Sequence, residues 1–284
     1  MKAYEYLLFK QIQWAQNKGI ELVGSQGNRG RPLYVQNLKN NLFEPLTPEV
    51  EKAFRAGDGG ELAGEPAKMQ AIHSSSALSV NVFQYWNKIG KVSQIAQACG
   101  FCSKTTEISK RIVFEAKYPI DDRFQYSPNI DVVIKNVPGA RYKVYAIECK
   151  FTEAYRNVGH LGLKEKYLEL AIWNDIPHLY ELAISISPRE EKYQYIHAAQ
   201  LIKHILGLKR AYGKTGFRLL YLWYDTLGRE GAKHREEVEE FLEIARADGI
   251  KMHGLTYQEL IVRLAERYRD KHREYIEYVT CRYL

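Results

Sequence analysis

Two short apolar segments joined by a turn constrain the fold of this chain most. Residues 130–134 read Ile-Asp-Val-Val-Ile, residues 144–150 read Val-Tyr-Ala-Ile-Glu-Cys-Lys, and a Pro-Gly turn lies between them. Apolar β-branched and aromatic residues on both sides of such a turn are typical of neighbouring β-strands. Asp131 lies near the start of the first strand, and Glu148 and Lys150 lie near the end of the second. Unpaired charge on a half-buried strand is costly, so the hairpin predicts a charged site that binds a ligand.

The remaining pattern predicts one mixed α/β domain. Predicted helices span residues 1–20, 47–56, 74–86, 92–99, 161–174, 190–208, 233–247 and 256–278, and residues 179–184 form a helical turn or a short strand. Predicted strands outside the hairpin span residues 112–118, 217–224 and 250–255, the second of them buried on both faces. We expect residues 101–284 to form the α/β core, and residues 1–100 to form a helical and loop-rich extension packed on it.

Composition limits the class of protein but does not identify a partner. The chain has 284 residues, of which 45% are hydrophobic and 26% are charged, enough for one large domain with a buried core. No run approaches eighteen apolar residues and the N-terminus lacks an apolar signal segment, so we expect no membrane span and a cytoplasmic location. The net charge of +7 is compatible with a polyanionic partner, although many basic proteins bind none.

Two other motifs are weaker candidates for a site. Cys99 and Cys102 have C-x-x-C spacing, but no second pair follows and His73 and His160 are not in zinc-finger spacing. Buried thiols in a reducing cytosol are therefore favoured over a zinc or redox role. The glycine-rich residues 24–32 lack the Gly-Lys-Ser/Thr of a phosphate-binding loop, and they predict a turn.

The charged residues of the hairpin form a coherent candidate metal site. Residues two apart on a strand share a face, so Glu148 and Lys150 point the same way while Cys149 points away. The turn folds the strand that carries Asp131 back beside them, so both carboxylates can reach one cation. Two carboxylates, a backbone carbonyl (that of Cys149) and water suit Mg²⁺, for which Mn²⁺ can substitute. Lys150 could then stabilise charge on a phosphate or help to deprotonate a water.

A purely structural interpretation of the same residues stays open. Glu148 and Lys150 could form an ion pair on a solvated face, which contributes under about 1 kcal/mol. Asp131 could cap a turn after Pro128.

The hairpin resembles the PD-(D/E)xK nuclease superfamily, whose members have a restriction-endonuclease-like fold. Glu148-Cys149-Lys150 within an apolar strand matches the second half of the motif, whereas Pro128-Asn129-Ile130-Asp131 is a looser match because of the intervening pair. The resemblance covers about residues 107–224. The chain also resembles a bacterial branch of uncharacterised restriction-endonuclease-like proteins, in the segment from residue 73 to residue 83.

This resemblance implies a mixed β-sheet flanked by helices, and an Mg²⁺-dependent phosphodiesterase that acts on DNA. Asp131 and Glu148 would be the metal ligands, and Lys150 would lie beside the attacking water. Many members use a further acidic residue upstream, for which we prefer Glu115 on an apolar strand to Glu107 in a more polar segment. A following helix sometimes supplies a Gln or His, and the candidates of this kind are Gln200, His197 and His204. Glu153 and Lys117 have more exposed contexts, and contact with substrate stays open for both.

Three functional hypotheses share this site. The first is the DNA endonuclease; the second is a catalytically silent nucleic-acid-binding or assembly module of the same fold; the third is an RNA-directed or structure-specific nuclease. No zinc finger or helix-turn-helix predicts sequence specificity. Many nucleases of this fold dimerise to cut both strands, so the resemblance leaves a homodimer open. The basic residues of the last predicted helix, Arg263, Arg267, Arg269, Lys271 and Arg273, alternate with acidic ones and predict a solvated face.

Overall fold

The computed structural model describes residues 1–103, 108–156 and 159–284. Its strands are β1 (Leu22–Val23), β2 (Tyr34–Val35), β3 (Ser109–Lys117), β4 (Asn129–Asn136), β5 (Val144–Lys150), β6 (His160–Leu161), β7 (Arg189–Glu190), β8 (Phe217–Trp223) and β9 (Met252–Thr256). Its α-helices are α1 (Ala3–Asn17), α2 (Pro48–Ala56), α3 (Ser75–Lys88), α4 (Val92–Ala98), α5 (Glu165–Leu168), α6 (Pro177–Ser185), α7 (Ala198–Tyr212), α8 (Arg229–Ala247), α9 (Tyr257–Tyr268) and α10 (Arg273–Tyr283). Within these residues, no helix is both long and apolar enough to cross a membrane.

A five-stranded mixed sheet organises the molecule, in the order β3-β4-β5-β8-β9. β3, β4 and β5 pair antiparallel, and β5, β8 and β9 pair parallel. The predicted hairpin is confirmed, with Val132 opposite Ile147 at the end of the paired region. β8 lies between two strands and is buried almost throughout, as its continuous apolar sequence predicts. The predicted mixed α/β class with helices flanking the sheet is thereby confirmed.

Helices cover both faces of the sheet, and strand alternation assigns each side chain to one face. One apolar cluster joins Ile147 and Cys149 of β5 to α3, α4, α9 and α10, and includes Leu7 and Phe54 from the N-terminal segment. The other cluster joins Ala146 of β5 to α6, α7 and α8. Because Glu148 shares a face with Ala146, it points toward α7. The division of the chain at residue 100 stays a prediction.

Thr47 and Ser74 stand at the start of two predicted helices, where a hydroxyl residue predicts an N-cap, and the structure confirms both caps. The Thr47 hydroxyl accepts the N–H of Val50 at the start of α2, and the Ser74 hydroxyl accepts the N–H of Ala77 at the start of α3. Side-chain oxygens at this position satisfy backbone donors that the first helical turn leaves free. The glycine-rich turn is flanked by the two-residue strands β1 and β2, which are too short to produce a recognisable sequence pattern.

Residues 190–197 are not helical, so the predicted helix over 190–208 is wrong in its first half. Buried Glu190 accepts the N–H groups of residues 192 and 193, and buried Glu237 accepts those of residues 194–196. Carboxylates thus take the backbone donors that a helix would have used, and α7 begins only at Ala198.

Gly207 does not end α7, which continues to Tyr212. A Cβ on Gly207 would lie 2.5 Å from the carbonyl oxygen of Tyr118. The glycine is therefore explained by close packing of the helix on the chain that follows β3. The prediction that a glycine stops this helix, which set its end near residue 208, is wrong.

The predicted helix over residues 161–174 is also wrong. The N–H of Gly162 donates to the carbonyl of Pro188, and the N–H of Leu163 donates to the hydroxyl of Ser187. These bonds hold the segment in an extended ribbon with β7, which leaves only the four-residue α5 and a short 3₁₀ turn at Ala171–Trp173.

The C-terminal segment forms two helices, α9 and α10, where one helix over residues 256–278 was predicted. The ring of Tyr275 stacks on that of Tyr85 with centroids 4.2 Å apart, and its hydroxyl donates to the carbonyl of Val82. Packing against α3 therefore redirects the chain after α9, although no proline or glycine interrupts the sequence there.

Candidate active site

The candidate site lies at the carboxyl end of β5, beneath α7. The side chain of Glu148 is fully buried, and its Oε1 lies 2.7 Å from Nζ of Lys150. Its Oε2 lies 2.8 Å from Nε2 of His204 on α7. The geometry of both contacts falls outside that of a hydrogen bond. The strand alternation that predicted a shared face for Glu148 and Lys150 is what brings them together.

Asp131 lies beside this pair, one residue beyond the last paired position of β4 and β5. Its Oδ2 accepts the backbone N–H of Cys149 at 2.7 Å. The side chain therefore continues the ladder of hydrogen bonds where the backbone pairing has ended. This contact also fixes the Asp131 carboxylate next to the residues that precede and follow Cys149.

Glu115 on β3 occupies a strained backbone position, with φ of +50°. It lies between Phe114, which pairs with Val132, and Ala116, which pairs with Ile130. A non-glycine residue with positive φ inside a strand is rare, and it changes where the side chain points. Oε2 of Glu115 accepts a 3.3 Å hydrogen bond from Nδ2 of Asn129.

Three carboxylates crowd this end of the sheet, and their charges disfavour one another. Burial, the charge of Glu148 and that of Glu61 raise the pKa of Glu115 to about 7. Burial and the charge of Glu148 also raise the pKa of Asp131 well above its usual value, although Lys150 offsets part of the effect. Excess negative charge in a partly buried site favours protonation or a bound cation.

Glu148 and Lys150 stabilise each other as ions. Burial alone would raise the pKa of Glu148, but Lys150 and His204 outweigh it and lower the pKa to about 2. Burial would lower the pKa of Lys150, but Glu148, Asp131 and Glu153 raise it above its usual value. Lys150 is therefore a cation at neutral pH.

Of the other predicted residues, some lie near Lys150 and others do not. Oε1 of Gln200 accepts a 3.0 Å hydrogen bond from Lys150 Nζ. His197, at the N-cap of α7, stacks on His160 and is close enough for the charge of Lys150 to lower its pKa. Glu153 is half-buried in the turn after β5. Exposed Lys117 instead forms an ion pair with Asp58 at 2.9 Å, and Glu107 lies outside the described residues.

The donor atoms fit a hard cation in their chemistry but are not gathered around one point. Across residues 1–103, 108–156 and 159–284, no group of three or more His, Cys, Asp or Glu side chains is arranged to hold a metal ion. The buried Oδ1 of Asn129 has no hydrogen-bond partner and lies on a side chain bonded to Glu115. Carboxylate and amide oxygens are ligands that Mg²⁺ accepts, so this donor set suits it.

Asn129 was not predicted as a site residue, and His204 was predicted only as a candidate supplied by the following helix. His204 follows Gln200 by four positions, so both lie on one face of α7, and that spacing was its signal. Asn129 precedes Asp131 by two positions on β4, which puts both on one face of the sheet. Neither spacing alone shows that the side chain reaches a carboxylate.

Comparison with known proteins gives the family. No curated protein and no solved structure matches the chain significantly. The family model described as "Restriction Endonuclease associating with ARP" matches residues 8–284, which is nearly the whole chain. The resemblance to restriction-endonuclease-like proteins is thereby supported, whereas the narrower PD-(D/E)xK assignment stays a prediction. The chain belongs to the family of restriction endonucleases associating with ARP.

Proposed function

We propose that this chain is a metal-dependent endonuclease that hydrolyses phosphodiester bonds of DNA. The observation that carries the proposal is the crowding of Glu115, Asp131 and Glu148 at one end of the sheet, where Nζ of Lys150 lies 2.7 Å from Glu148. Carboxylates that raise one another's pKa next to a buried cation are typical of functional sites. Membership of a restriction-endonuclease family supports DNA as the substrate.

Asp131 and Glu148 would hold Mg²⁺ or Mn²⁺, with Glu115 and the backbone carbonyl of Cys149 as further ligands. A bound Mg²⁺ would lower the pKa of a coordinated water and offset the negative charge of the phosphate. The repulsion that raises the pKa of Asp131 and Glu115 is the physical reason for these residues to accept a divalent cation.

Lys150 would stabilise the negative charge that develops on the phosphate. Two roles were open for it, but a lysine whose pKa is raised by Glu148 and Asp131 is a poor base at neutral pH. As a fixed ammonium it can donate to a phosphate oxygen, and Gln200 holds it from the helix side. This electrostatic role matches its position between the carboxylates and α7.

We also propose a cytoplasmic location and a homodimer. The four cysteines are free thiols, which supports a reducing, cytoplasmic compartment. A homodimer would allow both strands of a duplex to be cut.

Cleavage of supercoiled plasmid DNA tests the function. We expect nicked and linear products with Mg²⁺ or Mn²⁺, none with a chelator, and none from Asp131→Ala or Lys150→Ala. Lys143→Ala is the matched control, because this exposed lysine precedes β5 at the opposite end of the strand. Robust cleavage by both site variants would contradict the assignment.

DNA-binding and RNA-cleavage measurements beside the plasmid assay separate the alternative functions. A catalytically silent module would bind DNA with strong salt dependence, would be unaffected by chelator, and would form no product. An RNA-directed enzyme would cleave a labelled RNA hairpin but not the plasmid, and would lose that activity in the same two variants.

A further inference from the structure

Two histidines stack on each other close to Lys150. The rings of His160 and His197 stack with centroids 4.6 Å apart and planes 14° from parallel. Burial, followed by the charge of Lys150, lowers the pKa of His160, and burial, His160 and Lys150 lower that of His197 to about 4. Neither imidazole forms a hydrogen bond or an ion pair with any other residue in the described part of the chain. Their ring nitrogens are therefore available to an external ligand.

Three lysines continue from this pair along the surface. Lys203 lies on α7, six residues after His197, and its charge contributes to the lowered pKa of that histidine. Nζ of Lys166 and Nζ of Lys203 lie 5.5 Å and 5.4 Å from the ring centre of Tyr167, so both ammonium groups flank one ring. Burial and the charges of Lys164 and Lys166 lower the pKa of Lys203 in turn. Like charges brought together disfavour one another unless an anion separates them.

Within the described ranges, Lys164, Lys166 and Lys203 form no ion pair with Asp or Glu. Some other exposed basic side chains do form such pairs, as in Arg55–Glu51, Lys192–Glu240 and Arg273–Glu277. The ammonium groups of these three lysines are therefore not neutralised by direct contact with a carboxylate of the described residues.

An aromatic pair supports the lysines from below. The rings of Phe124 and Tyr167 pack edge to face with centroids 4.6 Å apart. Nζ of Lys166 lies 4.4 Å from the ring centre of Phe124, and Nζ of Lys203 lies 5.4 Å from that of Tyr167. Cations over aromatic faces are held in place without being neutralised. The lysines are thus positioned for an anion from solvent.

We infer that His160, His197, Lys203, Lys164 and Lys166 form a basic track that binds consecutive backbone phosphates of a nucleic acid on one side of the candidate active site. The track begins beside Lys150 and extends over α7 and α5, so one strand could contact both. A polyphosphate backbone is the partner chosen because hydrogen-bonding imidazoles and lysine ammonium groups follow one another, starting at a site proposed to act on phosphodiesters. The link to cleavage rests on the proposed function, whereas binding by the track can be tested without it.

Fluorescence anisotropy with a labelled 20-base-pair duplex, and separately with its single strand, tests the track in the presence of a chelator, so that no cleavage occurs. The test variant is Lys164→Ala/Lys166→Ala/Lys203→Ala. The control variant is Lys110→Ala/Lys143→Ala/Lys251→Ala, which removes the same charge. The strands β3, β5 and β9 run in the same direction, so these exposed control lysines lie at the end of the sheet opposite Lys150. Circular dichroism and thermal melting check that both triple variants fold.

We expect the test variant to bind at least tenfold more weakly at ~100 mM salt, with a slope of log affinity against log salt reduced by ~2.7 for duplex and ~2.1 for single strand. His160→Asn/His197→Asn should weaken binding with little change in slope, because neutral imidazoles donate hydrogen bonds without releasing counterions. The control variant should keep both the affinity and the slope.

Equal losses in the test and control variants would overturn the track, because net charge alone would then explain the binding. Unchanged nucleic-acid binding by the folded test variant would also overturn it. Binding to vesicles of anionic lipid is measured in parallel, and a variant that loses vesicle binding but keeps nucleic-acid binding would overturn the track as well. If the track variant loses binding while wild type never cleaves, the track stands and the proposed function fails. If wild type cleaves and the track variant binds and cleaves as wild type does, the proposed function stands and the track fails.

Discussion

The backbone N–H of Cys149 donates a 2.7 Å hydrogen bond to Oδ2 of Asp131, one residue beyond the last backbone pair of β4 and β5. Asp131 therefore has two separable properties. Its oxygen completes the hydrogen bonding of β5, and its charge belongs to the crowded carboxylates of the candidate site. Substitutions that keep one property and remove the other distinguish structure from function.

Asp131→Asn should keep the fold and remove the activity. The amide oxygen of asparagine can still accept the N–H of Cys149, and the buried charge is gone, so thermal stability at pH 7 should equal or exceed that of wild type. Asp131→Leu removes the acceptor as well, and an unsatisfied backbone donor should lower the free energy of unfolding by about 1 to 3 kcal/mol. Both variants should lose DNA cleavage.

Urea unfolding and the plasmid assay measure these two effects side by side. Equal destabilisation by Asn and Leu would show that the hydrogen bond to Cys149 is not what Asp131 contributes to stability. Cleavage by the Asn variant at the wild-type rate would remove Asp131 from the metal site.

Lys150→Met should destabilise the protein, because it leaves the buried carboxylate of Glu148 without its main counter-charge. Breaking a buried ion pair from one side costs about 3 to 5 kcal/mol. The pKa of Glu148, about 2 in the folded protein, should rise, so the variant should be less destabilised at pH 5 than at pH 8. Adding Glu148→Gln should recover part of the stability but none of the cleavage.

Chemical denaturation of both single variants and of the double variant at the two pH values gives the coupling energy directly. Additive effects would show that the 2.7 Å contact between Lys150 and Glu148 contributes no net stability. Lys209→Met is a control, because its ion pair with Asp175 has an exposed acidic partner and should give a much smaller coupling.

Glu115 should make stability fall as pH rises toward neutrality. Its pKa is about 7 in the folded protein against an ordinary value of 4.5, so the folded state holds a proton that the unfolded state has released. The resulting stabilisation is complete below pH 4.5 and is lost as pH rises through 7. Glu115→Gln should therefore match wild type at pH 4 and exceed it by about 3 kcal/mol at pH 8.

Melting curves from pH 4 to pH 8 in the presence of a chelator test this difference. Mg²⁺ should reduce the difference in stability between Glu115→Gln and wild type at pH 8, because a cation that binds the native carboxylates stabilises wild type selectively. Glu266→Gln, an exposed neutralisation on α9, should follow the wild-type curve throughout. Parallel curves for wild type and Glu115→Gln would contradict the raised pKa.

The sequence predicted elements whose signals are local. The hairpin of β4 and β5 follows from β-branched strands around a turn, and the caps at Thr47 and Ser74 follow from hydroxyls placed before helical segments. The shared face of Glu148 and Lys150 needed only the two-residue period of a strand. These features depend on neighbours within a few positions, so periodicity suffices to find them.

Contacts between segments far apart in the chain determine the features that the sequence did not predict. Residues 194–196 are kept out of a helix by Glu237, some forty positions later in the chain. The end of α9 is set by packing of the next helix on α3, and the contact of His204 with Glu148 requires α7 to lie across β5. A helical period shows that a segment can form a helix, but not whether a buried carboxylate elsewhere will take its N–H groups.

Gly207→Ala provides the sharpest test of this difference between local preference and packing. Inside an exposed helix, alanine is favoured over glycine by about 1 kcal/mol, so local preference predicts stabilisation. The structure predicts the opposite, because the new Cβ would lie 2.5 Å from the carbonyl oxygen of Tyr118 and the helix would have to shift. We expect a loss of about 1 to 3 kcal/mol, as for other overpacked sites.

Gly159→Ala serves as the control, since a Cβ there meets nothing within 4 Å and the backbone is not left-handed. Its stability should stay within about 0.5 kcal/mol of wild type. Because α7 carries Gln200 and His204 over the candidate site, a shift of the helix at Gly207 should also loosen their contacts with Lys150 and Glu148. Gly207→Ala should therefore lower cleavage at temperatures well below its melting point. A Gly207→Ala variant that is more stable than wild type and fully active would show that α7 packs less closely on Tyr118 than the 2.5 Å distance implies.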